Sequence, residues 1–214
     1  MPFNAQLIAG IKGFLELDEA ERLYQLGLDA SRRGSCLEIG GYCGKSTLCL
    51  GTACRENGAV LYSIDHHRGS EEQQPGEEYF DPDLLDPQTG RLDTFRYFRQ
   101  ALELADLEDT VVPMVCRSEL AARAWATPLG LVLIDGGHSF EDAYSDYNAW
   151  SGHVMAGGYL LIHDIFENPS DGGQAPFRVY QEAVASGRFA EMPMTGTLGV
   201  LQCRAGIRLS KEDE

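Results

Sequence analysis

The sequence predicts an α/β fold, in which a single doubly wound sheet is mostly parallel, ends in an antiparallel last strand and is covered by helices on both faces. Three observations predict it. Short apolar runs suit strands buried on both faces, helix patterns alternate with those runs, and the last two strands are joined by a tight turn. A chain of 214 residues suits one domain with a sizeable core. We therefore predict that residues 1–214 form one domain.

The chain opens with a segment, residues 1–34, that we expect to be helical. Asp18 and Glu21 resemble a helix capping box, and an apolar stripe at helical spacing follows them. The predicted strands come after this segment, and each ends near glycine or a polar residue. They are Cys36–Gly40, Val60–Asp65, Val111–Cys116, Leu131–Asp135, Tyr159–Asp164 and Leu198–Arg204.

Two segments between these strands have patterns of their own. Ser139 and Asp142 indicate the start of a helix with an aromatic core face. Residues 69–93 are acidic, rich in Pro and Gly, and long for a loop in a compact domain. We interpret residues 69–93 as a lid, with a flexible insertion of no function as the alternative.

The composition limits the partners. The net charge of −16 repels phosphate backbones, which argues against nucleic acid as a substrate. No apolar run has the length of a membrane span and no signal peptide is recognisable, so we expect a cytoplasmic protein without a membrane partner. The cysteines form no C-x-x-C pair, and we interpret them as reduced core residues.

Two of the predicted strands end on residues that bind metals or move protons. Asp135 and His138 follow one strand, and His163 and Asp164 follow the next. Ligands of open α/β sheets sit at the carboxyl ends of the strands, so we expect these four side chains to converge. Such a group of titratable residues in one crevice indicates an enzyme.

A glycine turn follows the first strand. Gly40, Gly41 and Gly44 let the backbone approach a ligand where a helix begins. A phosphate-binding P-loop needs four residues between its glycines, and here Gly40 leaves only three and Glu38 supplies an unsuitable charge. Asp65 ends the second strand, where an acid accepts hydrogen bonds from a ribose. This order favours a nucleoside ligand without a bound phosphate.

The segments E-I-G-G-Y-C-G-K-S and Y-S-I-D resemble the first and second motifs of the class I S-adenosylmethionine-dependent methyltransferases. The resemblance implies a Rossmann-like fold and spans residues 35–204. It implies that the turn faces the methionine part of the cofactor, that Asp65 holds the ribose and that residues after the third strand contact the adenine. The implied cofactor-binding residues are Glu38, Gly40, Tyr42, Gly44, Ser46, Asp65, His66, Cys116, Arg117, Ser118 and Asp135.

Within that class, I-D-G-G-H followed by a later H-D resembles the metal-dependent sugar O-methyltransferases of macrolide type and their cephalosporin-tailoring relatives. The resemblance implies that Asp135 and Asp164 bind Mg²⁺ and that His138 is the general base. His163 departs from it, because relatives commonly carry a carboxylate there. Imidazole is a poorer Mg²⁺ ligand than carboxylate, so either His163 orients the substrate, or the metal is a Mn²⁺-like ion, or the metal is weakly held.

We therefore expect an enzyme that methylates a hydroxyl of a sugar or glycoside, and a small molecule or oligosaccharide as its acceptor. A homodimer is also expected. The candidate substrate contacts are His67, Tyr79, Phe80 and Phe177. Three alternatives remain: a catechol- or phenol-type O-methyltransferase, a metal-dependent hydrolase that uses the His/Asp cluster, and a module that binds S-adenosylmethionine without catalysis.

Overall fold

The computed structural model describes residues 3–137 and 139–204, and within them seven strands form one sheet in the order β5-β2-β1-β6-β7-β9-β8. The pairs among β5, β2, β1, β6 and β7 are parallel, whereas β9 pairs antiparallel with β7 and with β8. The predicted fold class is confirmed. The strands of this sheet are β1 (Cys36–Ile39), β2 (Leu61–Ile64), β5 (Val111–Met114), β6 (Leu129–Ile134), β7 (Val154–Ile162), β8 (Phe189–Thr195) and β9 (Leu198–Cys203).

Helices cover both faces of the sheet and enclose two cores. Side chains alternate along the strands, so Leu131 and Leu133 pack in one core while Val132 and Ile134 pack in the other. The first core lies under α2, α3 and α4, and the second lies under α6 and α7. The helices are α1 (Ala5–Ala9), α2 (Leu17–Ala30), α3 (Lys45–Glu56), α4 (Phe95–Ala105), α5 (Ser118–Ala122), α6 (Phe140–Trp150) and α7 (Ala175–Ala185).

The N-terminal segment differs from its prediction at the start of α2. The capping box is formed by Glu16 and Glu19 rather than by Asp18 and Glu21, because Leu17 is already helical. The Glu16 side chain accepts the backbone N–H of Glu19, and the Glu19 carboxylate accepts the backbone N–H of Glu16. The buried carboxylate of Glu19 is thereby placed at the amino end of α2.

Strand β7 begins at Val154, five residues before its predicted start at Tyr159. Val154 pairs with Leu129 across an irregularity in the ladder, and Gly157 accommodates the distortion with a φ of +77°. The start of α6 is as predicted, since the Ser139 side chain accepts the backbone N–H of Asp142.

Residues 69–93 fold back on the domain. They contain two short 3₁₀ helices (Glu71–Gln73 and Pro82–Leu84) and a hairpin of β3 (Leu85–Asp86) and β4 (Arg91–Leu92). Leu84 and Leu92 are buried in a small third cluster, and Lys12 binds Asp81 and Asp83 at 2.5 and 3.0 Å. The segment is thus anchored to the N-terminal region, and its role as a lid stays a prediction.

The sheet order reverses at β1, because β2 lies on one side of it and β6 on the other. Open α/β sheets bind ligands at such a switch point, outside the carboxyl ends of the strands. The apolar side chains of the two cores end before this edge of the sheet, where polar residues lie. All six cysteines are free, as expected. Among residues 3–137 and 139–204, no helix is long and apolar enough to cross a membrane.

Candidate functional site

The glycine turn lies at the switch point and is fixed by close backbone contacts. Gly40 has a φ of +95°, and a Cβ there would lie 1.9 Å from the carbonyl oxygen of Asp135. Gly44 has a φ of +99° and forms the N-cap of α3. Between them Tyr42 takes a φ of +44°, which is rare for a side chain of its size. Such strain is typical of ligand-binding turns.

Glu38 stabilises this turn through hydrogen bonds to the start of α3. Its side chain is fully buried and accepts hydrogen bonds from the hydroxyls of Ser46 and Thr47 in the first turn of α3. Burial raises the pKa of Glu38 to about 7, although the two hydroxyl donors oppose the shift. Neither Glu38 nor Ser46 presents an exposed surface to a cofactor. Both residues support the turn, and their expected contact with the cofactor stays a prediction.

Asp65 joins the glycine turn to the end of β2. One carboxylate oxygen accepts the backbone N–H of Tyr42 at 2.8 Å, and the other accepts the backbone N–H of His67 at 2.6 Å. The side chain keeps 15% of its surface exposed. Each carboxylate oxygen has more than one acceptor site, so a ligand hydroxyl can bind without breaking these contacts.

The two histidines after Asp65 have different environments. His66 is exposed, and its Nδ1 accepts the backbone N–H of Arg68. His67 is only 2% exposed, bonds Thr94 through Nδ1 at 2.8 Å and packs against the ring of Phe98. His67 thereby anchors the end of β2 to the start of α4, and its expected substrate contact stays a prediction.

The residues after β5 lie at the start of α5. Cys116 is partly buried and Arg117 is exposed as the N-cap of α5, while Ser118 is buried and donates a hydrogen bond to Asp146 of α6. Burial raises the pKa of Asp146 to about 7. No sequence pattern predicts the burial of Asp146, because a carboxylate on a helix face is usually solvated.

The predicted acid–histidine cluster is present at the ends of β6 and β7. His163 Nδ1 lies 3.2 Å from Asp135 Oδ1 and 3.5 Å from Asp164 Oδ1. Asp164 has a φ of +59°, a left-handed conformation that Asp tolerates better than most residues. His138 lies outside the described residues, so its role as the base stays a prediction.

Glu19 completes the cluster, and sequence analysis missed it. Its Oε2 lies 3.1 Å from His163 Nε2, and its Oε1 accepts the backbone N–H and the hydroxyl of Thr197 at 2.6 and 2.9 Å. Both side chains of the Glu19–His163 pair are almost fully buried. Three segments distant in sequence therefore meet at one imidazole ring.

The charges in this cluster favour an ion pair. Burial lowers the pKa of His163, but the carboxylates of Asp135, Glu19 and Asp164 outweigh it and raise that pKa to about 11. Burial likewise raises the pKa of Glu19, but His163 and the backbone donors outweigh it and lower that pKa to about 2. Without a bound cation, the neighbouring carboxylates therefore favour the protonated form of His163.

The same residues fit a divalent cation. One ligand atom each from Asp135, His163 and Asp164 lie within 4.8 Å of one another, a span that a single ion can bridge. Asp135 and Asp164 are partly exposed, whereas His163 is buried behind them. An ion held there would take the place of the proton on Nδ1.

The expected substrate residues are unequally placed. Tyr79 is 44% exposed, whereas Phe80 and Phe177 pack partly buried against core clusters. Phe14, which sequence analysis did not select, is 57% exposed and lies 5.3 Å from Tyr79 and 5.9 Å from Tyr42 between ring centroids. An exposed aromatic surface therefore borders the glycine turn.

Comparisons with known proteins agree with this geometry. A family model described as a methyltransferase domain matches residues 37–165. The O-methyltransferase TomG from Streptomyces achromogenes, involved in tomaymycin synthesis and solved in complex with SAM, has a TM-score of 0.62 at 14% identity, over 90% of this chain and 82% of that chain.

Two further solved structures have the same fold. The O-methyltransferase NovP gives a TM-score of 0.66 at 14% identity, over 90% of this chain and 83% of that chain. An O-methyltransferase from Bacillus cereus in complex with SAH gives a TM-score of 0.62 at 14% identity, over 94% of this chain and 92% of that chain. At such identities the structures support the Rossmann-like fold, while the family model covers more than half of the chain. The chain therefore belongs to the methyltransferase-domain family and is a class I S-adenosylmethionine-dependent methyltransferase.

Proposed function

We propose that this enzyme is an O-methyltransferase whose acceptor is a hydroxyl of a sugar or glycoside, with a divalent cation held by Asp135, His163 and Asp164. The observation that carries this proposal is the cluster of these three residues beside the glycine turn at the switch point. The solved relatives TomG and NovP are named O-methyltransferases, which supports oxygen as the methylated atom.

The cofactor site would use the groups already described. The turn from Gly40 to Gly44 approaches the methionine part, and the Asp65 carboxylate accepts the ribose hydroxyls. Ser118, Cys116 and Arg117 lie where the adenine contacts are expected. The acidic surroundings favour a ligand with a positively charged sulfonium.

The reaction needs an oxygen nucleophile that is aimed at the methyl carbon. A bound divalent cation lowers the pKa of a hydroxyl and fixes its direction. Asp135, His163 and Asp164 would hold such an ion, and His138, three residues after Asp135 in the sequence, would take the hydroxyl proton. The oxygen–methyl bond forms as the methyl–sulfur bond breaks, and S-adenosylhomocysteine leaves.

The acceptor class follows from the ligands. Adjacent hydroxyls of a sugar chelate a cation through two oxygens, and the apolar face of the ring can stack on Phe14 and Tyr79. The second candidate is a catechol- or phenol-type acceptor. It is favoured by the Phe14–Tyr42–Tyr79 surface, because a flat phenolic ring would stack there as well.

The test has two stages. Calorimetry on metal-stripped protein should show S-adenosylmethionine binding, and no binding with or without added cation would contradict the cofactor assignment. Formation of S-adenosylhomocysteine is then measured with glycosides that carry adjacent hydroxyls and with catechols. Faster turnover of catechols would replace the sugar proposal with the second candidate.

Variants test the site residues. Asp135→Asn should abolish most turnover, whereas Asp109→Asn, on the exposed loop before β5, should not. His138→Ala should lose most turnover and retain S-adenosylmethionine binding. Near-normal turnover in His138→Ala would refute its role as the base.

A further inference from the structure

The Glu19 carboxylate holds one nitrogen of His163, while the other nitrogen faces the proposed cation site. Its Oε1 is engaged by two donors from Thr197, and its Oε2 is engaged by the backbone N–H of Glu16 as well as by His163 Nε2. An ionised carboxylate only accepts hydrogen bonds, so the contact requires that Nε2 carry a hydrogen. The Nδ1 nitrogen is then the one that faces Asp135 and Asp164.

We propose that Glu19 is a positioning residue that fixes this tautomer, and that His163 Nδ1 thereby makes the cation site select a transition-metal ion such as Mn²⁺ over Mg²⁺. The inference rests on the cation site of the proposed function. Histidine ligands are commonly oriented by a carboxylate on their other nitrogen, which also raises the basicity of the ligand atom.

The chemistry of the ligands gives the direction of the selectivity. Two carboxylates alone suit Mg²⁺, which prefers oxygen ligands and keeps several waters. Replacing a carboxylate by imidazole shifts the preference toward first-row transition metals. His163 is buried and held on both nitrogens, so the ring cannot turn away without leaving Glu19 unpaired.

A variant that removes the Glu19 acceptor tests the tautomer directly. Leucine at position 19, in the Glu19→Leu variant, offers Nε2 no acceptor, and only the Thr197 hydroxyl, 3.4 Å away, remains near that nitrogen. The neutral ring then favours the hydrogen on Nδ1, where the Asp135 carboxylate accepts it. We expect Mn²⁺ binding to weaken roughly 10- to 100-fold, the effect typical of losing an outer-shell partner.

The measurement is electron spin echo spectroscopy of bound Mn²⁺, together with calorimetry of Mn²⁺ and Mg²⁺. The natural protein should show a nitrogen coupling from His163 and should bind Mn²⁺ more tightly than Mg²⁺. Glu19→Leu should lose the coupling. Glu16→Gln is the matched control, because it changes the same helix cap without touching His163.

A second variant keeps the test decisive if Glu19→Leu unfolds. In the double variant Glu19→Gln/His163→Asp, the amide can donate to the new carboxylate, and the difference between the Mn²⁺ and Mg²⁺ affinities should shrink. No nitrogen coupling in the natural protein, no Mn²⁺ binding, or an unchanged coupling in Glu19→Leu would each overturn the proposal. S-adenosylmethionine binding, measured on the same samples without metal, separates these results from a failure of the methyltransferase function.

Discussion

Glu38 should make the stability of this protein fall as the pH rises toward neutrality. Burial raises the pKa of Glu38 from an ordinary value of 4.5 to about 7. The folded protein therefore keeps a proton that the unfolded chain releases. The stability that the protonated Glu38 contributes is fully present below pH 4.5 and is lost as the pH rises through 7. A shift of this size corresponds to about 3 kcal/mol of unfolding free energy.

Glu38→Gln isolates this effect, because the amide has the same shape and stays neutral at every pH. We expect the natural protein to lose about 3 kcal/mol relative to Glu38→Gln between pH 4 and pH 8. The assay is urea unfolding at several pH values in the presence of a chelator, since an ion near Asp135 would change the charge around Glu38. Glu103→Gln, at an exposed position of α4, corrects for the general pH dependence.

One outcome of the comparison between the natural protein and Glu38→Gln would refute this reasoning. If the difference between the natural protein and Glu38→Gln is independent of pH, Glu38 titrates alike in the folded and unfolded states. The hydroxyls of Ser46 and Thr47 would then stabilise the charge as well as water does, and the argument from burial would be refuted.

Three further predictions concern the turn and its surroundings. Gly40→Ala should lower the melting temperature far more than Gly58→Ala, because the first Cβ would meet a carbonyl oxygen while the second meets nothing within 4 Å; equal shifts would contradict the close approach. Asp65→Asn should weaken S-adenosylmethionine binding at least about tenfold, the effect of losing a charged hydrogen-bond acceptor, and calorimetry checks it. Phe14→Ala should lower kcat/KM for the acceptor and leave the Kd of S-adenosylmethionine unchanged; a changed Kd would place Phe14 at the cofactor instead.

The sequence predicted the sheet well because its central strands are buried on both faces. Leu131 to Ile134 form a continuous apolar run, which is the pattern of a strand covered on both faces. Local rules failed where two patterns overlapped. Asp18 and Glu21 fit the capping-box spacing, but Glu16 and Glu19 fit it too, and the tertiary contacts of Glu19 favoured the earlier start.

The candidate site was predicted only in the part that lies at strand ends. Asp135, His163 and Asp164 were found because topology brings strand ends together. Glu19 was not, because it contacts His163 across 144 positions and Thr197 across 178, and no local pattern encodes such contacts. The burial of His67 was not predicted either, since its position next to Asp65 says nothing about the direction of its side chain.

The carboxylates around the switch point differ in charge and in exposure, and these differences decide where a cation can bind. Burial favours a neutral Glu38, and Glu19 is ionised but paired with His163. Asp135 and Asp164 are the members with exposed surface, and His163 faces both. A divalent cation that replaces the Nδ1 proton adds a positive charge next to them, which offsets their repulsion in a site of low dielectric. The cluster therefore presents its negative charge at the exposed edge of the sheet, where the proposed cation and the sulfonium of the cofactor would both bind.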